Sequence, residues 1–233
     1  MKTSKLFKEK KALIEENRDY SPIEAFKLLK KVKYSKYDES VEVHFRLGID
    51  PKHADQQLRG TIVLPKGIGK EKRVLAIAEG DNEKLAQDAG ADFVGSDDLI
   101  EKIQGGWFDF DVLITTPDMM RKLGKLGRAL GSKGLMPNPK LGTVTKDIGK
   151  TVEEFKSGKF EYRNDKDGIL HVLIGKTSFS NEDLAENFEF MYDFLLKVKP
   201  AKSKGTYFKS IALCSTQSPS IFIEPIKVKW DKK

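Results

Sequence analysis

The chain has 233 residues, a formal net charge of +7 and a pI near 9.2, with 33% charged and 39% hydrophobic residues. That is the composition of one large or two small folded domains rather than a disordered segment, and the base excess favours a polyanion or an anionic surface as partner. A single cysteine, Cys214, excludes an internal disulfide framework, and no apolar run approaches the ~20 residues of a membrane span. The first twenty residues are charged throughout and lack the apolar core of a secretory leader. They read as an amphipathic helix with Leu6, Leu13 and Ile14 on its sparse apolar side.

Ser21-Pro22-Ile23-Glu24 is a capping box with proline at the first helical position. The helix that follows carries Ala25, Leu28, Leu29 and Val32 on one face. From Ser40 to Gly48, Val41, Val43, Phe45 and Leu47 alternate with Ser40, Glu42, His44 and Arg46, which predicts a strand with one dry and one polar face. A second strand is expected over Leu58–Leu64. From Arg73 short apolar strands (residues 74–78, 92–94 and 111–115) alternate with helices (residues 81–89, 97–104 and 147–155), the pattern of a parallel sheet covered on both faces. After Gly158 the antiparallel pattern returns. Phe160–Arg163 and Ile169–Ile174 flank the turn former Asn164-Asp165-Lys166-Asp167-Gly168 and predict a hairpin. Ser180 caps a long helix that Pro200 stops, and strands are expected over Thr206–Leu213 and Ile221–Glu224.

The first 66 residues hold too little core to be comfortable alone. The reading is therefore one α+β discontinuous domain, an antiparallel sheet with helices, built from residues 1–67 and 159–233. An α/β domain of Rossmann-like, three-layer type is inserted at 68–158. Gly67, Gly69 and Gly158 mark the two crossings and suit a hinge.

The most basic stretch, Arg121 to Thr143, carries Arg121, Lys122, Lys125, Arg128, Lys133 and Lys140 with no carboxylate. Its first part fits a short helix, and the rest reads as a glycine-articulated loop whose amides can approach an anion. No enzyme chemistry assembles. The first strand of the α/β segment is followed by AEGDNEK, not a three-glycine phosphate fingerprint, and Gly175-Lys176-Thr177 lacks the glycine a phosphate loop needs five residues earlier. His44, His53 and His171 have no short-spaced partner, so no zinc pattern forms, and Ser215 has no nucleophile elbow. His44 and His171 read as hydrogen-bonded sheet residues, and Trp107 and Phe110 as core. A nucleotide-dependent enzyme on the α/β insert and a general nucleic-acid chaperone remain the rival readings.

The run GSKGLMPNPKLGTV resembles the signature of the large-ribosomal-subunit stalk protein family, the bacterial-type L-one family. KYDESVEVHFRLGIDPKHADQQLRGTIVLP, GADFVGSDDLIEKIQGGWFDFDVLITTPDMM and EYRNDKDGILHVLIGKTSF resemble its patterns as well. The resemblance implies a cytoplasmic, ribosome-bound protein, not an enzyme, with no cofactor, metal or membrane contact. It would bind 23S rRNA at the mobile stalk, lie among other ribosomal components, assist release of deacylated tRNA from the exit site and repress its own mRNA. It also moves the RNA surface away from the basic stretch onto the split domain. There the resemblance implies Lys36 for phosphate, Tyr37 for packing on a ribose or base, and Ser40 for a 2′-hydroxyl, with Glu42 and Arg46 on the same polar face. It adds Lys166, Gly168 and His171, and then Ser215, Thr216, Gln217 and Ser218. Gln217 and Ser218 stand where the family usually has Met and Gly, which exchanges an apolar contact and a close backbone approach for a polar loop. Arg121, Lys125, Arg128, Lys133 and Lys140 are left as a secondary basic surface. Ser132-Lys133 replaces the family's usual Pro-Arg, which keeps the charge and loses bidentate phosphate geometry.

Overall fold

The computed structural model describes residues 4–225 and separates into two compact units. The first runs up to Arg59 and takes in Leu64–Gly69 and everything from Tyr162, while the second is Gly60–Val63 with Lys70–Glu161. Helices and both kinds of sheet are present, an α+β composition.

In the first unit, β1 (Ser40–Leu47), β7 (Ile169–Lys176), β8 (Phe208–Ser215) and β9 (Ile221–Ile223) form an antiparallel sheet in the order β7-β1-β8-β9. The alternation predicted over Ser40–Leu47 is realised: Val41, Val43, Phe45 and Leu47 are buried while Arg46 is exposed. The buried face packs on α2 (Pro22–Val32) and α8 (Asn181–Lys197), where Phe45 stacks on Phe188 at 5.9 Å and Phe26 meets Phe188 edge-on at 6.1 Å. Each of these buried aromatics contributes about 1.5–3 kcal/mol. The caps behave as expected. Ser21 N–H donates to Glu24 Oε2 at 3.3 Å, and Ser180 Oγ accepts from Asp183 N–H at 3.0 Å. Fully buried Asn187 on α8 holds the incoming chain: its Oδ1 accepts from Lys66 N–H at 3.0 Å, and its Nδ2 donates to the Gly67 and Ile174 carbonyls at 2.9 and 2.8 Å.

In the second unit, β3 (Val74–Ile77) lies between β4 (Phe93–Gly95) and β5 (Val112–Thr115), all parallel. Alternate residues of each strand face opposite ways. Leu75, Ile77 and Leu113 join α4 (Asp97–Gln104) and residues 119–130 in one core, which Trp107 flanks. Val74, Ala76 and Ile114 join α3 (Asp81–Asp88) and α7 (Ile148–Lys156) in the other. Helices therefore cover both faces of this sheet, as the residue pattern predicted.

Two expectations are corrected. The hairpin expected of Phe160–Arg163 and Ile169–Ile174 does not form: β6 (Phe160–Arg163) pairs with β2 (Arg59–Ile62), and its link to β7 shrinks to the single bridge Asn164↔Leu170. The cause is local. Asn164 donates its backbone N–H to Leu58 O at 3.1 Å and accepts from Leu58 N–H through Oδ1 at 2.7 Å, so it is held by the other strand. The N-terminal amphipathic helix is reduced to α1 (Lys5–Lys11), which buries nothing; Leu13 and Ile14 lie beyond it and Leu6 is exposed. Residues 1–3 of that expectation lie outside the described residues. No helix among the described residues is long and apolar enough to cross a membrane.

Candidate nucleic-acid interface

The helices leave one face of the β7-β1-β8-β9 sheet open, and the strand order brings three distant stretches onto it. Directly paired residues of neighbouring strands point the same way. Ser40 therefore shares a row with Lys176, Glu42 with Leu173 and Cys214, His44 with His171 and Ala212, and Arg46 with Ile169 and Ser210. The third of these rows continues through Ala212 to Phe222, an aromatic 48% exposed on the edge strand.

The loop entering β1 is fixed by Asp38, which accepts from Thr177 Oγ1, Ser178 N–H and Ser178 Oγ at 2.8–2.9 Å. Burial pushes the Asp38 carboxyl up, but the bonds from Ser178 and Thr177, with Lys176 nearby, outweigh it and hold the group below the ordinary range. Lys36 is exposed on this loop, and Tyr37 beside it is 82% exposed, an uncommon position for an aromatic ring. Tyr34 Oη donates to Gln217 O at 3.0 Å and ties the loop to the turn after β8. In that turn Thr216 pairs with Ser40, donating N–H to Ser40 O at 3.1 Å and accepting Ser40 N–H on Oγ1 at 3.2 Å. Lys176 Nζ reaches Ser40 Oγ at 3.1 Å. Thr216 and Gln217 are exposed and Ser218 half-buried. Ser215 is buried, and its hydroxyl donates to buried Glu39, so its side chain shapes the turn from below rather than facing solvent.

At the other end of the face, Asp165 Oδ1 accepts from Asp167 and Ile169 N–H at 2.9 and 2.7 Å and winds the turn that exposes Lys166. Gly168 closes it at φ +76° with its carbonyl accepting from Leu47 N–H at 3.0 Å, a backbone state that suits glycine. Burial pushes Asp165 up, but those amides and His171 hold it below the ordinary range. His171 is exposed, with Nε2 3.4 Å from Asp165 Oδ2 and Nδ1 2.8 Å from Nδ1 of His44, whose own Nε2 lies 3.2 Å from Cys214 Sγ. Burial, then Glu42, pushes the Cys214 thiol up to about 11, so it stays protonated. Sequence reasoning found no partner for His44 or Cys214 and overlooked Phe222. Only the strand register, joining residues 127 and 170 positions apart, brings the histidine and cysteine groups together.

The basic stretch lies wholly in the second unit. It forms α5 (Met120–Leu123), a 3-10 turn and α6 (Gly127–Ser132), with Leu123, Leu126 and Leu130 buried. Arg121, Lys125, Arg128, Lys133 and Lys140 are all exposed, and Lys133 Nζ sits 4.6 Å above the Phe108 ring. Lys122 is neutralised by Glu79 and Asp97 at 2.8–2.9 Å. The expected anion cradle is not free: Thr143 Oγ1 accepts the Asn138 amide, Asn138 Oδ1 the Lys140 amide, and Pro139 O the Gly142 amide. Among the expected hinge glycines, Gly67, Gly69 and Gly158 all have positive φ. Gly158 follows α7 and donates to Phe155 O, whereas a side chain at Gly69 would meet Lys176 and Phe179 at 2.9 Å.

No group of three or more His, Cys, Asp or Glu among the described residues is placed to hold a metal ion. Residues 29–219 match the model of the ribosomal protein L1p/L10e family, a span that includes all three stretches on the open face. That family is one of ribosomal proteins, not of enzymes. With most of its length matched, the chain belongs to the ribosomal protein L1p/L10e family: it is a ribosome-associated protein of the large subunit that binds rRNA.

Proposed function

We propose that the chain binds the mobile stalk of 23S rRNA through the open face of the β7-β1-β8-β9 sheet. Residues 1–67 with 159–233 act in this reading as one rRNA-binding domain. The observation that carries it is convergence. Lys36–Arg46, Lys166–His171 and Thr216–Ser218 meet on one solvent-open surface that carries exposed Lys36 and Lys166 and an exposed tyrosine. A mixed polar face with one aromatic suits a folded RNA, recognised by shape, 2′-hydroxyls and stacking, better than a uniform cationic patch does. Lys36 meets phosphate, Tyr37 a ribose or base, and Thr216 and Gln217 the backbone or base edges.

In the same reading, residues 68–158 form an inserted Rossmann-like domain that moves on Gly67, Gly69 and Gly158. Its exposed Arg121, Lys125, Arg128, Lys133 and Lys140 guide deacylated tRNA away from the exit site. The cytoplasmic protein represses its own mRNA where the message copies the stalk. The test compares Lys36→Ala with Lys140→Ala, each removing one exposed charge. Binding to a stalk rRNA hairpin should fall about tenfold in the first variant, the worth of one bond to a charged group of about 1.5 kcal/mol, and little in the second. Equal losses, or equal affinity for scrambled RNA, would point to a general chaperone and overturn the assignment.

A further inference from the structure

We propose that His44 and His171 together form a proton-coupled positive charge that faces the phosphodiester backbone of the bound RNA, taking up one proton, and not two, on binding. The inference rests on the reading of this sheet face as the RNA surface.

The geometry limits the proton count. The two Nδ1 atoms are 2.8 Å apart, with the rings 4.9 Å between centroids and inclined at 66°. Two N–H groups would collide there and two lone pairs would repel, so one proton lies between them. In the neutral arrangement His171 Nε2–H points at the Asp165 carboxylate and its Nδ1 is bare. His44 Nδ1–H then donates to it, and His44 Nε2 accepts from the Cys214 thiol. Every member has a partner. A proton added at His44 Nε2 reverses two bonds: His44 Nε2–H donates to Cys214 Sγ, and the shared proton passes to His171 Nδ1. The positive charge therefore ends on the exposed ring. A second proton would put hydrogens on both Nδ1 atoms and is refused.

The surroundings set the balance. On β1, Glu42 favours the charged pair and Arg46 opposes it; Asp165 and Asp167 favour it, and Lys166 opposes it, from the turn before β7. On β8 the groups are Cys214, which stays neutral, and Lys209, which is exposed at the bulge between Phe208 and Ser210. On β9 the facing residue is Phe222, which does not titrate. Burial, then His171, holds His44 below its ordinary value of 6.5, with Glu42 opposing. An incoming phosphate supplies the negative charge that draws the proton in. The sign follows: the affinity gain is fully present below the free pair's titration and is lost as pH rises through the bound pair's.

The full chain and a stalk rRNA hairpin test this at fixed salt. Affinity should rise up to about tenfold as pH falls from about 7.5 to about 5.5, and His171→Gln should flatten the profile. Nitrogen-15 NMR of the free chain should show the two rings sharing one titration. Two independent full titrations, a flat wild-type profile, or an undiminished slope in His171→Gln would each overturn the proposal. Lys36→Ala at about pH 8, above the range of the pH series, tests the RNA face by itself. A loss there with a flat wild-type pH profile refutes the proton coupling alone, whereas no loss refutes the parent assignment.

Discussion

Asn187→Ala offers the sharpest check on how the first unit holds together. The side chain is fully buried and makes three bonds, to Lys66 N–H and to the carbonyls of Gly67 and Ile174. Each is worth about 1 kcal/mol net, and a buried carbonyl left unpaired costs about 1–3 kcal/mol more than one that can turn to water. Lys66 is exposed and its amide can be rehydrated, while Ile174 is fully buried and its carbonyl loses a partner it cannot replace. The expected loss is therefore about 2–4 kcal/mol, including a small cavity beside Ile174. Urea denaturation followed by hydrogen exchange is the assay. Peptides from 170–176 and 181–197 should lose protection at lower urea, and the 64–69 segment should exchange fastest. Peptides from 74–78 and 112–115, whose cores do not include Asn187, should keep their wild-type midpoints. A loss below about 1 kcal/mol, or an equal shift in both sets of peptides, would refute the reasoning, because the bonds would then be either readily replaced by water or not local in effect.

Gly168→Ala should lower stability by about 1–2 kcal/mol, since a Cβ at φ +76° is strained and would stand 3.3 Å from Ile49; an unchanged melting midpoint would contradict this. Asp38→Asn should destabilise the chain at neutral pH. Because the folded carboxyl is held low, the wild-type advantage exists above the unfolded value of 3.8 and is lost as pH falls through the folded value, so denaturation midpoints of the two proteins should converge in acid. Lys72 is half-buried over the Phe155 ring with Nζ 2.6 Å from Lys159 O, and burial, then Lys70, lowers it to about 8. Its charge opposes folding at neutral pH and less so as pH rises from about 8 towards 10.5. Lys72→Met should raise the melting midpoint at pH 7 and gain less at pH 10; a lowered midpoint at pH 7 would show that the carbonyl bond outweighs desolvation.

What could be read from residue order was what short-range physics decides. Alternation of Val41, Val43, Phe45 and Leu47 sets which face of β1 is dry, because successive strand residues point opposite ways. Ser21 and Ser180 start helices because their neighbours' amides need acceptors, and Asn164–Gly168 turns because Asp165 and a left-handed glycine supply the geometry. Lys36, Tyr37, Lys166, His171 and Thr216 came instead from family resemblance, and their contacts with RNA are part of the proposed function.

Tertiary structure decided the partners. Whether Phe160–Arg163 paired forwards or backwards depended on Asn164 bonding Leu58, residues 106 positions apart. Strand order alone put three separated stretches on one surface, and the β1–β7 and β1–β8 registers alone set His44 against His171 and Cys214. Ser215 looked like its neighbours in the polar turn until the buried side of β8 claimed it. Local pattern says which way a side chain faces. A two-residue change of register would keep every side chain of β1 on its own face and still undo the histidine contact, so that contact belongs to the folded sheet and to no segment of the chain.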